Sequence, residues 1–329
     1  MISFSDIVGR DAVKNSIINM LDYDKLSHAY ILTGPSGSGK KIFAKALANA
    51  ILCNHSNHGI PCMNCVHCKS AVSDGITELY QLQTEGNTIK VDEVRQILKS
   101  MSLRPTQSNK KVYIIFDGEK MTVQAQNSLL KTFEEPPHYG HIIITVNNED
   151  SILPTIMSRA SVINIGMNTK EEVVGFLKKR YDDNELIELA SDYSEGCIGK
   201  ALTIISSEKF KQTREFSCEY AEQLINKNEK KCFSLVKEVN KDNLDDFMSV
   251  IIKIFKDMVV FKSTQNDIFL INKDKKVMIN NGINKYNINT LLNVAFILED
   301  TVNRLKQNAS VKSALDGMTV KILEEFIND

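Results

Sequence analysis

The sequence predicts a parallel α/β sheet domain followed by an almost entirely helical remainder. Three observations carry the prediction. Apolar runs alternate with helical patterns up to about residue 166, as βα units of a parallel sheet do. One of those runs, "AYILTG", feeds the glycine-rich stretch "GPSGSGKK" (34–41) and then a helix. After residue 207 the strand signals fade into helix-patterned, lysine-dotted chain.

Residues 1–27 read as a helical lead-in, with Val13, Ile17, Ile18 and Leu21 on one face. "AYILTG" is a buried strand, and "KKIFAKALANAILC" is a helix whose face is built from Ile42, Ala46, Leu47 and Ala50. "TELYQLQT" (77–84) is the next strand. "KVDEVRQILKSMSL" (90–103) is a helix turning Val91, Val94, Ile97, Leu98 and Met101 inward. "KKVYIIFDG" (110–118) is a near-continuous apolar strand, the signature of a strand buried on both faces. "TVQAQNSLLKTFEE" is a helix stopped by Pro136 and Pro137, and its apolar residues Leu129, Leu130 and Phe133 read as core. "HIIITVNN" (141–148) and "SVINI" (161–165) complete the strands. A small helical module follows at 167–207, then a helical region at 208–329 interrupted by the ambiguous stretch 267–287.

Acidic and basic residues nearly cancel, 41 against 40, so no overall field draws the molecule to nucleic acid. No apolar run reaches the ~18–20 residues of a membrane span, and "MISFSDIVGRD" lacks a signal peptide's apolar stretch, so a cytoplasmic protein without membrane partners is expected. Disulfides are then not expected among its seven cysteines.

Four of those cysteines, Cys53, Cys62, Cys65 and Cys68, form C-x8-C-x2-C-x2-C. Two-residue gaps let turns aim successive thiolates at one centre, and four thiolates close a tetrahedral, structural Zn²⁺ site with no open position for catalysis. A redox switch is the competing account. His55, His58 and His67 read as exposed loop residues beside the cluster.

Gly34, Gly37, Gly39 and Lys40 supply a phosphate-binding loop, in which backbone N–H groups and a helix N-terminus surround an anion and the lysine neutralises it. A glycine turn without a ligand is the alternative. Position 41, where the pattern wants a magnesium-holding hydroxyl, is Lys41. An ammonium has three donors and no acceptor, so Mg²⁺-dependent hydrolysis is not expected even if ATP or ADP is held. Asp117 and Glu119 are separated by Gly118, so they cannot serve together as an adjacent acidic pair would.

"LSHAYILTG", the loop, the cysteine insert, "NSLLKTFEEPP" (127–137) and "IMSRA" (156–160), in this order, resemble bacterial DNA polymerase III clamp-loader subunits of the AAA+ family, the delta-prime type most closely. The detailed resemblance covers about residues 1–205; beyond it, only helical character and "LKQNASVKSALDGMTVKIL" (305–323) match. It implies a P-loop AAA+ domain with a zinc module (1–166, the module at 53–68), a helical lid (167–207) and an all-α collar domain (208–329). It also implies delta and gamma/tau partners in a heteropentamer that loads a sliding clamp onto primer-template DNA. The family's acidic pair falls on Phe116 and Asp117, and the lid's sensor arginine falls on Gly199, so Lys41, Phe116 and Gly199 all depart from a working ATPase. "SRA" resembles the family's Ser-Arg-Cys motif, which makes Arg159 an arginine that reaches a neighbour's ATP site in trans; Ala160 stands where the family has cysteine. Pairing of Arg159 with a surface carboxylate is the plainer alternative, and Asn147 falls near the sensor-one position.

The implied function is a non-hydrolysing clamp-loader stator. A gamma/tau-type or DNA-repair AAA+ ATPase is the first rival, and a zinc-dependent nucleic-acid module the second. The apolar stripe Leu291, Val294, Ala295, Leu298, Val302, Leu305, Val311, Leu315, Met318 and Ile322 reads as the inner face of the helical region. "KNEKK" (227–231) and "KDKK" (273–276) read as solvated faces.

Overall fold

The computed structural model describes residues 1–23, 25–72, 78–106, 108–307 and 309–329, with the side chain of residue 72 left aside; expectations touching residues 24, 77 and 308 lie outside this set at those positions. Five strands, β1 (Ala29–Thr33), β2 (Leu79–Leu82), β3 (Lys111–Ile115), β4 (Gly140–Val146) and β5 (Ser161–Asn164), form one parallel sheet. Their order is β2-β3-β4-β1-β5, so the strand that feeds the glycine loop lies inside the sheet between β4 and β5.

The apolar runs become the inner strands. Every residue of β1, β3 and β4 is buried, whereas the edges β2 and β5 are partly exposed. Side chains alternate across the sheet. Tyr30, Leu32, Val112, Ile114 and Ile143 pack with Phe43, Leu47 and Ile51 of the helix Lys40–Leu52 on one face. Ala29, Ile31, Tyr113, Ile115, Ile142 and Ile144 pack with Val94 and Met101 of Val91–Met101 and with Leu129 and Phe133 of Val123–Glu134 on the other. Thr122 caps that last helix by accepting from the Ala125 N–H at 3.1 Å, and the helix stops ahead of the proline pair. This is a P-loop α/β architecture: a five-stranded parallel sheet with flanking helices and a mostly helical C-terminal region.

The chain divides into two compact units, Met1–Arg180 with Glu195–Gly199, and Tyr181–Ser194 with Lys200–Asp329. The segment 167–207 is shared between them, with the helix Lys170–Leu177 in the first and Asn184–Ser194 in the second.

In the second unit, Leu291, Val294, Leu298, Leu315, Met318 and Ile322 are buried with Phe247, Ile251 and Phe255. The stretch 267–287 is two short 3-10 turns and a helix, Lys276–Lys285. Polar groups pin it. Asp257 accepts from the Asn272 backbone N–H at 2.8 Å, and the Asn272 side-chain oxygen accepts from Tyr193 and Arg214 at 2.7 and 3.0 Å. Arg214 also forks onto Asp274 at 2.7 and 3.0 Å. Among the described residues no helix is long and apolar enough to cross a membrane.

Candidate functional site

The glycine loop leaves β1 in conformations that side chains resist. Gly34 has φ +146°, and a Cβ there would stand 2.1 Å from the Ile165 carbonyl oxygen; Gly37, at φ +80°, would place one 2.7 Å from the Cys197 sulfur. Gly39, at φ 86°, turns the chain into the helix that begins at Lys40. The loop therefore keeps the shape of an anion cradle at a helix N-terminus.

Lys40 is folded into this loop. Its Nζ donates to Gly34 O (2.7 Å), Pro35 O (2.8 Å) and Asn147 Oδ1 (3.0 Å). Burial pulls its pKa below the ordinary lysine range, against the opposing pull of the Glu119 and Asp117 carboxylates. Asn147, read from sequence near a sensor position, is thus in direct contact with the loop lysine.

β3 ends at Ile115, and Asp117 takes a left-handed conformation (φ 54°) that opens a 3-10 turn at Gly118–Lys120. The turn, not a strand, therefore positions the two carboxylates, and both meet residues at the loop. Asp117 Oδ2 meets Lys41 Nζ at 2.8 Å, and Glu119 accepts from the Asn147 side-chain amide. Phe116 is buried, with the ammoniums of Lys41 and Lys45 5.6 and 5.8 Å from its ring centre.

These residues do not fit a magnesium ion. Position 41 offers donors only, Asp117 is engaged by that same ammonium, and position 116 is an aromatic ring. A Cβ at Gly199 would meet nothing within 4 Å, so packing does not demand the glycine that stands in place of the sensor arginine. Arg10, which the sequence reading passed over, donates to the carbonyls of Gly166 (2.9 Å) and Ser38, the latter within the loop. Its only sequence signal was its place after Gly9 at the start of the first helix.

Arg159 follows the short helix Pro154–Met157 and precedes β5. Its guanidinium pairs with Glu134 at 3.0 Å and donates to Thr155 O at 2.9 Å. The side chain is 38% exposed. The carboxylate pairing anticipated as the plainer alternative is therefore present, through the last residue of the "NSLLKTFEE" helix.

The four cysteine sulfurs lie within 4.8 Å of one another, with Cys53 and Cys68 buried. Cys53 is 3.7 Å from Cys68 and 4.0 Å from Cys65, sulfur to sulfur. Thiolates bound at ~2.3 Å in a tetrahedron sit ~3.8 Å apart, so the spacing fits a four-sulfur metal site. The backbone N–H groups of Asn64 and Cys65 pull the Cys62 thiol down to about 6, whereas burial pushes Cys53 and Cys68 up. A bound cation would hold the two reluctant thiols as thiolates. Cys53 caps the C-terminal end of the loop helix Lys40–Leu52. His55 and His58 are exposed as expected, but His67 is buried at 4% exposure, and its Nε2 has no hydrogen-bond partner. Its place in the helix Val66–Val72, beside Cys68, turns it inward.

Residues 9–169 match the family described as DNA polymerase III, delta subunit, and residues 208–315 match its C-terminal family, DNA polymerase III, delta subunit, C terminal. The chain is 32% identical over 208 residues to DNA polymerase III subunit tau of Bacillus subtilis (strain 168), covering 61% of this chain but only 37% of that protein. It is 27% identical over 261 residues to DNA polymerase III subunit gamma of Buchnera aphidicola subsp. Schizaphis graminum, covering 77% and 72%. A gamma subunit-related protein of Thermotoga maritima superposes with a TM-score of 0.46 at 18% identity, over 94% of this chain and 99% of that one. With two family matches covering most of its length, the chain belongs to the DNA polymerase III clamp-loader family.

Proposed function

We propose that this chain is a delta-prime-type clamp-loader subunit that binds its siblings, hydrolyses no ATP of its own and donates Arg159 to a neighbour's ATP site. The observation that carries this reading is that Lys41, at the position where a magnesium-holding hydroxyl would stand, is ion-paired with Asp117. Phe116 and Gly199 support it, because each stands where the resemblance places a working group. The match of 208–315 to the delta C-terminal family supports a delta-type role over a gamma/tau one. In this reading 1–166 is the AAA+ domain, 167–207 contributes the lid and 208–329 is the collar. Cys53, Cys62, Cys65 and Cys68 hold a structural zinc ion, which stiffens the insert and takes no part in chemistry. The partners are delta and gamma/tau subunits, with the sliding clamp and primed DNA reached through the assembly in the cytoplasm.

The rival, a gamma/tau-type ATPase, is favoured by the intact glycines and Lys40 and by the 32% identity to a tau subunit. Turnover separates the two. The purified chain should release phosphate from Mg²⁺-ATP no faster than a Lys40→Ala control. Clear turnover lost in that control would defeat the stator reading.

A further inference from the structure

We propose that the phosphate loop binds a polyphosphate free of magnesium, with the Lys41 ammonium standing where the metal would; this deepens the non-hydrolysing reading and rests on it. The loop retains what an anion requires. Its glycines hold the strained cradle, and the first-turn N–H groups of the helix at Lys40 lack intrahelical partners. Among the described residues, the Lys40 ammonium donates to neutral oxygens, those of Gly34, Pro35 and Asn147. A charged phosphate oxygen is a stronger acceptor than any of these and can exchange for them. Ser38, 1% exposed within the loop, carries a hydroxyl without a hydrogen-bond partner. That is an unmet donor in a cradle built for acceptors.

Lys41 spends one of its three donors on Asp117 and keeps two for phosphate oxygens. In a magnesium-dependent site the acidic pair would repel a polyphosphate arriving without its metal. Here one of those positions is the Phe116 ring and the other is neutralised by Lys41. A ligand carrying Mg²⁺ would instead press a divalent cation against a fixed ammonium. Magnesium therefore competes with the protein for the polyphosphate.

The test is a titration of the full-length chain with N-methylanthraniloyl-ATP, followed by fluorescence anisotropy in EDTA and in excess Mg²⁺. Binding should be tighter in EDTA by about 10-fold or more. Lys41→Thr should weaken binding in EDTA by about 10-fold and remove the penalty of added Mg²⁺. Displacement of the probe by unlabelled tripolyphosphate assigns the affinity to the phosphates. Binding that requires Mg²⁺, no binding in either buffer, or a probe displaced by adenosine but not by tripolyphosphate would overturn the proposal. None of these outcomes touches the donor role of Arg159, which is read from turnover at a neighbour's site.

Discussion

In a complex rebuilt with its sibling subunits, Arg159→Ala should slow ATP turnover at the receiving site by roughly 10³-fold or more, the range measured when an arginine finger is lost. The measurement needs a complex in which the receiving site alone is competent, since other firing sites would mask the loss. The physical basis is the guanidinium fork. It stays charged at any working pH and bridges two phosphate oxygens as charge spreads over the transferring group. Arg159→Lys keeps the charge without the fork, so it should restore only part of the rate. The Glu134 pair does not prevent the role, because an ion pair this exposed is worth only ~0–1 kcal/mol and is readily exchanged for phosphate. Unchanged turnover in an intact Arg159→Ala complex would refute the assignment.

Removal of the metal should have the other large effect. Purified without chelator, the chain should carry about one zinc per molecule by atomic absorption, and less than half of one would sink the zinc claim. Zinc sites of this type contribute ~10–16 kcal/mol in isolated peptides. Even about 3 kcal/mol of that would correspond to a roughly 100-fold change in local opening. Chelation, or Cys68→Ser, should therefore raise amide exchange in the described residues of 53–72 by about that factor. Exchange across β1, β3 and β4, which are buried on both faces, should stay unchanged. Uniform loosening would mean that the cluster supports the whole sheet and not a local module.

Much of the first unit was legible in the sequence because its signals are local. "AYILT", "KVYII" and "GHIIITV" are apolar on consecutive residues, which only strands covered on both faces tolerate, and all three are inner strands of the sheet. The cysteine spacing likewise bears its geometry within sixteen residues of chain, from Cys53 to Cys68. What escaped depends on one backbone angle or on distant chain. The left-handed Asp117 opens a turn that sets its carboxylate on Lys41 and that of Glu119 on Asn147, and no apolar pattern foretells where the strand ends. Arg10 joins the loop carbonyl of Ser38 to that of Gly166, 156 residues from it, and no pattern around "VGRD" encodes that meeting. His67 looked like loop because its neighbours are polar and cysteine-rich. It lies in a short helix that turns it inward, where burial sets its pKa below the ordinary histidine range against the upward pull of the Glu78 carboxylate.

The helix Lys40–Leu52 has a mechanical consequence. Its 13 residues span ~20 Å between a glycine turn at one end and a cysteine of the four-cysteine cluster at the other. Ten of them are buried, so the helix behaves as a strut and not as a lever. Stripping or oxidising the cluster unclamps the far end of that strut while the sheet still grips its length. Damage at the sulfurs should thereby stay isolated from the loop: the cysteine insert is expected to fail by itself, with the cradle beneath Lys40 keeping its shape.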